Sequence, residues 1–235
     1  MPGFRFAIAA VMTVFMALSI SACTDNEATQ RKAFIDFLQT RIVDKKGVSV
    51  PQLTTEETKS LGSYAAQYKI ITDFHSAMNE KISKPMEALA AKGAITSIDD
   101  AMNRKDDIKA AYAGLSTLRT TMDEEQSVAD RAHAALKQPE DLKPVFDKAY
   151  EKTVSNLANT YKEIFPATSE TFDILLKVVD FVDQNRDKIT ISGSMFEVSD
   201  PTIQAQLNIL LDQVNAKGQA ISDAQRKMRA AIYGN

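Results

Sequence analysis

The chain has 235 residues, with 28 Lys and Arg against 31 Asp and Glu, two His, one Cys and no Trp. A hydrophobic share of 44% and a charged share of 25% are globular averages and argue against collagen-like, disordered and multispan membrane classes. The net charge of −3 leaves no basic footprint for nucleic acid, one Cys makes no internal disulfide, and two His fall short of a conventional metal site. No cofactor and no metal are expected.

Residues 1–22 read as a targeting segment. Arg5 is its sole charged side chain, and the apolar stretch from Phe6 to Leu18 suits a secretory signal. It is shorter than the roughly 20 residues that a spanning helix needs. Leu18-Ser19-Ile20-Ser21-Ala22-Cys23 then resembles the bacterial lipobox. The resemblance implies cleavage between Ala22 and Cys23, a diacylglyceryl group on the Cys23 thiol, and acylation of the new amine. An ordinary signal peptide with an incidental Cys, or an uncleaved anchor, is the alternative; the placement of the one Cys favours lipidation. Thr24 stands where the enterobacterial class uses Asp for inner-membrane retention, so the resemblance implies an outer-membrane lipoprotein facing the periplasm. Residues 23–29 are expected as a short lipidated tether, and 30–235 as one helical domain.

Arg31 and Lys32 lie just beyond the anchor, where they could touch lipid headgroups or simply solubilise a helix. Phe34, Ile35, Phe37 and Leu38 concentrate apolar surface on that helix. It either packs into the body or fits a partner's groove, so Arg31, Lys32, Phe34 and Phe37 are the candidate contacts to a partner or membrane.

Further along, Thr54-Thr55-Glu56-Glu57 offers N-caps and an acidic first turn. Leu61, Tyr64, Tyr68, Ile71, His75, Met78 and Ile82 then recur in steps of three and four, the seam of a bundle helix that Pro85 should kink or end. A second seam, from Ile108 through Leu115, Met122 and Ala129 to Leu136, lies in a run from about Asp99 to Gln138. Unbroken, that run would span roughly 60 Å. A third runs from Leu142 to Ile164 and is expected to stop at Pro166. Residues 172–182 are apolar around a wide arc, as in a central helix.

Residues 189–198 read instead as a β-hairpin, with Gly193-Ser194 as a two-residue turn pairing Ile191 with Phe196 and Ile189 with Val198. Asp200 and Pro201 then cap and open a last helix. The fold class is mainly α: an elongated helical bundle with one short hairpin near residues 189–198.

Two runs carry a family resemblance: Gln30 to Gln39, and Ala132-His133-Ala134-Ala135-Leu136-Lys137-Gln138 followed by Asp141 to Asp147. They resemble the YiaF-like lipoproteins of enteric bacteria. That implies a helical mature domain behind a lipobox and brings no reaction or catalytic residue.

No catalytic constellation emerges. Asp130 and His133 are three apart on a helix, but the other histidine, His75, has Thr72 where a dimetal template needs Glu. There is no Gly-x-Ser-x-Gly elbow, phosphate loop or paired Cys motif. The expectation is a non-enzymatic envelope protein, anchored by its acyl chains, that works as a scaffold or interaction partner of another envelope protein. The alternative is a protein that binds a small ligand or lipid in an apolar cavity between helices, with the hairpin as a lid over residues 172–182.

Overall fold

Long amphipathic segments punctuated by Pro and Gly fold here as antiparallel helices. The computed structural model describes residues 26–92, 95–192 and 195–234. Cys23, Ala22, Thr24 and the Gly193-Ser194 turn lie outside these residues. The chain is helical from residue 26 to 38 (α1), so the stretch expected as a tether is already ordered there. The cause is local docking: Tyr64 donates its hydroxyl to Glu27, and Arg31 pairs with Glu27 at 3.6 Å.

A π turn, Gln39–Val43, closes α1. Helix α2 (Thr55–Leu61) opens on a capping box in which the Thr54 hydroxyl accepts from the Glu57 amide and the Glu57 carboxylate from the Thr54 amide. Helix α3 (Tyr64–Met78) passes through a second π turn, Asn79–Ser83, into α4 (Lys84–Ala90). Pro85 therefore does not end the helix. The extra residue of the π turn falls directly before it, where the Lys84 amide bonds five residues back to Asn79.

The expected run from 99 to 138 is divided. Helix α5 (Ile98–Asn103) breaks at Arg104, which adopts φ −113° and ψ 24°, and α6 covers Lys105–Ala134, about 45 Å. Helix α7 (Lys143–Tyr150) continues through a third π turn, Glu151–Ser155, into α8 (Asn156–Gln184). Pro166 sits inside α8 instead of stopping it. An interior Pro costs about 3 kcal/mol, and burial of Ile164 and Phe165 before it and Ile174 after it holds both halves to the body.

Together α7 and α8 form a rod of about 60 Å. It lies antiparallel to α6, with cross-links at His133–Asp147, Asp123–Lys162 and Lys105–Asp180. Strands β1 (Ile189–Ser192) and β2 (Met195–Val198) pair in the register the sequence dictates, Ile189 with Val198 and Ile191 with Phe196. Helix α9 (Pro201–Tyr233) opens with the Asp200 carboxylate accepting from the Thr202 amide at 2.8 Å. It runs back along α8, with Lys217 on Glu170 and Lys227 on Glu163. Its C-terminal end meets the loop after α1, where the Val48 amide donates to the Ile232 carbonyl at 2.9 Å. Gly47 permits that approach, since a Cβ there would lie 2.2 Å from the same carbonyl oxygen.

Two zones of core result. One joins α1, α3, α6, α7 and the start of α8 around Phe34, Tyr68, Phe146 and Phe165. The other joins α5, the far end of α8, the hairpin and the start of α9 around Val178, Val182, Ile189 and Leu207, with Ala101, Ile108 and Val179 beside it.

Candidate functional site

Between these zones the interior is not filled. A cleft of about 840 Å³ opens where α4, α6, α8, α9 and β2 converge. Helices α4 and α6 contribute Met86, Leu89, Ile108 and Leu115. Phe172 and Leu175 come from α8, Phe196 from β2, and Leu211 and Val214 from α9. The side chains facing the gap from α6 and α8 include Ala111, Thr168 and Thr171, too short to close it. The wide apolar arc of residues 172–182 is thereby divided. Val178 and Val182 serve the hairpin core and Val179 packs on Ala101 and Ile108, while Phe172 and Leu175 line the cleft.

Most polar groups of the lining are already engaged. Thr168 and Thr171 donate their hydroxyls to carbonyls four residues back, at 3.0 and 2.8 Å. The Ser97 hydroxyl accepts from the Asp100 amide at 3.1 Å. The charged residues of the lining gather at one corner, where α4 ends and α6 begins. Arg104 donates to the Lys92 carbonyl at 2.8 Å and lies 3.5 Å from Asp100 and 3.8 Å from Asp107. The Lys92 ammonium is 3.5 Å from Asp107. Such a wall favours an apolar occupant, because hydrocarbon surface removed from water gains roughly 25 cal/mol per Å² while most polar groups keep their own bonds.

The residues singled out from the sequence lie elsewhere. Phe34 and Phe37 are buried: Phe34 stacks 5.6 Å from Tyr64, and Phe37 meets Tyr68 edge-on at 5.0 Å. This is the packing alternative, and it corrects their reading as partner or membrane contacts, because both rings are enclosed by the body. Arg31 is paired with Asp141 at 3.2 Å, and Lys32 is exposed and paired with Asp36 at 2.6 Å. Asp130 and His133 go to separate partners. Tyr150 donates to Asp130 at 2.7 Å, while His133 stacks 4.1 Å from the Tyr150 ring and bonds Asp147 at 2.8 Å.

Burial alone would raise the Asp147 carboxyl, but bonds from Lys143 and His133 outweigh it and hold it below the usual range. Burial, with help from Asp130, pushes the Tyr150 phenol far up, which makes it a poor proton donor or base. Among the described residues no group of three His, Cys, Asp or Glu is placed to hold a metal ion, and no helix is long and apolar enough to cross a membrane.

A second polar cluster joins the π turns, and of its members the sequence pointed to the seam residues His75 and Thr153 but not to Lys152. Lys152, in the third π turn, donates to the carbonyls of Ile42 and Val43 at 3.0 Å each, and to that of Lys45. It thus caps the end of α1. The neighbouring Thr153 carbonyl accepts from His75 Nε2 at 2.8 Å, and the buried Thr153 hydroxyl donates to Ala149. Burial pushes His75 below its usual value, with the bond to Thr153 opposing only in part. Thr153 is buried on the seam that runs from Leu142 to Ile164, whereas Lys152 gave no periodic signal.

The chain belongs to the family described as "Protein of unknown function (DUF3053)", whose model matches residues 10–229. It is 29% identical over 217 residues to "Uncharacterized protein YiaF" of Escherichia coli (strain K12), covering 92% of each chain. It is equally similar, over the same shares, to the protein of that name in Shigella flexneri. No solved structure matches.

Proposed function

We propose, starting from membership of a family described as of unknown function, that this chain is a lipid-anchored, non-enzymatic envelope protein whose cleft receives an apolar or amphiphilic small molecule. The observation that carries the reading is the cleft of about 840 Å³ with its apolar lining and self-bonded hydroxyls. Its volume lies within the roughly 300–1,000 Å³ typical of small-molecule sites. Phe196 of the hairpin forms part of the wall, as the lid reading expects.

The anchor follows from the lipobox at Cys23, and Thr24 favours the outer membrane facing the periplasm. Residue 26 begins α1 beside Tyr64 and Asp141, level with the end of α6 at Ala134. Along α6 the cleft lies roughly 30–40 Å from that end. The anchored protein therefore holds its binding site at the far end of the bundle from its tether.

The test is to grow cells on a fatty acid bearing a diazirine, irradiate them, and map the lipid-modified peptides of the full chain. The expected result is acyl modification at Cys23 together with crosslinks to peptides around residues 86–98, 108–115 and 168–175. The cleft crosslinks should vanish when Ala111→Trp fills the gap. Crosslinks confined to Cys23 would refute the ligand reading and return the protein to a scaffold role, in which case crosslinking groups on the exposed face of α6 should capture an envelope partner.

A further inference from the structure

The chain carries a net charge of −3, yet the fold reverses that sign locally. Where α1 ends, segments distant in sequence meet. The loop at Lys45 and Lys46 lies against the last turn of α9, so close that a Cβ on Gly234 would stand 2.4 Å from the Lys46 carbonyl carbon. Lys152 reaches in from the third π turn to the carbonyls of Ile42 and Val43, at 3.0 Å each. Lys148 is exposed one turn before Lys152, and Arg229 is exposed one turn before Tyr233. Lys45, Lys46, Lys148 and Arg229 form no ion pair among the described residues, and Lys152 bonds only carbonyls. Of the carboxylates on these segments and beside them, Asp223 and Glu163 are matched by Arg226 and Lys227. That leaves Asp44, which accepts from Gln39, and Glu151 against the five cations. The surplus is positive. Tyr233 stands out of the same patch, 64% exposed.

Resting on the anchor reading above and not on the ligand reading, we infer that this patch is a second contact with the membrane that holds Cys23, made to anionic lipid headgroups. The tether supplies the geometry. Cys23 precedes the first described residue by three positions, a reach of at most about 11 Å, so the start of α1 is held at the membrane surface. From there α1 runs beside α3, with Phe34 against Tyr64 and Phe37 against Tyr68. The patch lies at the other end of α1 and its π turn, about 25 Å away. A body already pinned by acyl chains brings the patch to the headgroups by tilting, at the high effective concentration of a tethered group. Each Lys or Arg beside an anionic surface then strengthens the attachment several-fold. Tyr233 suits the same level, because its ring is apolar and its hydroxyl polar. A nucleic acid or an acidic protein also offers negative charge, but the anchor brings neither within reach.

The sequence has no Trp, so one introduced Trp is a clean reporter. The lipidated protein carrying Tyr233→Trp is reconstituted on phosphatidylcholine vesicles with and without phosphatidylglycerol, each containing a lipid with a nitroxide on its headgroup. Ile209→Trp, at a position 58% exposed toward the opposite end of α9, is the control. The expected result is emission from Tyr233→Trp about threefold lower on the anionic vesicles than on the neutral ones, with Ile209→Trp little changed between them. Replacing Lys45, Lys46 and Arg229 together by Gln should return the emission to its neutral-vesicle level, as should raising the salt. These side chains are exposed and unpaired, so the fold should survive, with circular dichroism as the control. Equal quenching of the two reporters, or quenching of Tyr233→Trp that ignores both vesicle charge and the Gln substitutions, would overturn the inference. The mass of the N-terminal peptide separates the two readings. An unmodified Cys23 refutes the anchor and this inference with it, whereas a lipidated chain with Tyr233→Trp unquenched refutes the inference alone and hands the patch to an acidic macromolecule.

Discussion

At the end of the bundle that carries α1 and α7, rings from several elements close the interior. Phe34 lies 6.0 Å from Phe146, His133 stacks on Tyr150, and Phe37 meets Tyr68 edge-on. Toward the other end the same antiparallel pair, α6 and α8, separates around an 840 Å³ cleft whose facing residues include Ala111, Thr168 and Thr171. The helical scaffold is common to both ends; what differs is side-chain volume at the level where the helices meet. Aromatic contacts and the Lys152 cap on the end of α1 close the first end. Short side chains leave the second open, and its small core of Val178, Val182, Ile189 and Leu207 supports a hairpin as a wall. One end of the rod is thus closed by packing, and a cleft is left toward the other.

The sharpest way to break this comparison is a pair of Phe truncations. Phe146→Ala, fully buried among rings, should cost about 3–5 kcal/mol. Phe172→Ala, half-buried in the cleft wall, should cost roughly 1 kcal/mol while weakening crosslinking of the acyl probe. Urea denaturation checks both, and equal losses would mean that the cleft wall is as much a core as the ring cluster.

Next in size is Lys152→Met, which withdraws an ammonium from three carbonyls at the end of α1. A loss of roughly 2–3 kcal/mol is expected, from removal of a charge-assisted cap. Hydrogen exchange should quicken in α1 and not around the cleft.

A pH series gives a smaller effect with a definite sign. Burial lowers the His75 proton affinity in the folded state, so the unfolded chain takes up a proton that the folded chain refuses. The contribution is fully present above the unfolded value near 6.5 and is lost as pH falls from there toward the depressed folded value, by at most about 1.4 kcal/mol per pH unit. The difference in stability between wild type and His75→Gln across that window isolates the effect, and a constant difference would contradict it.

The smallest expected change is favourable. Gly218 lies on the exposed side of α9, where a Cβ would meet nothing within 4 Å. Gly218→Ala should therefore raise stability by about 0.5–1 kcal/mol, read as a higher midpoint of thermal unfolding. This helix flanks both zones but buries only Leu207 fully, so propensity and not packing sets the outcome there.

Much of the local structure was legible in the chain itself. The hairpin register follows from alternation with period two around a turn, since slipping by one residue would expose Ile189 and Ile191 together. The Thr54 capping box and the Asp200 cap were readable because a cap is a contact within three residues. The seam from Leu61 to Ile82 also buries as its spacing demands, His75 being half-buried within it.

The tertiary structure decided the rest. Pro85 and Pro166 signal breaks by their own chemistry, yet burial of Ile82, Ile164, Phe165 and Ile174 outweighs it and carries the helices through. His133 stands one turn from Asp130 but goes to Asp147, because α7 brings a carboxylate closer than its own helix does. The cleft is the extreme case. Periodicity marks which residues of 172–182 are apolar, but a gap depends on the summed volume of side chains from α4, α6, α8, α9 and β2. Caps and registers are fixed by neighbours in the chain, whereas a space between helices exists only once distant segments have met.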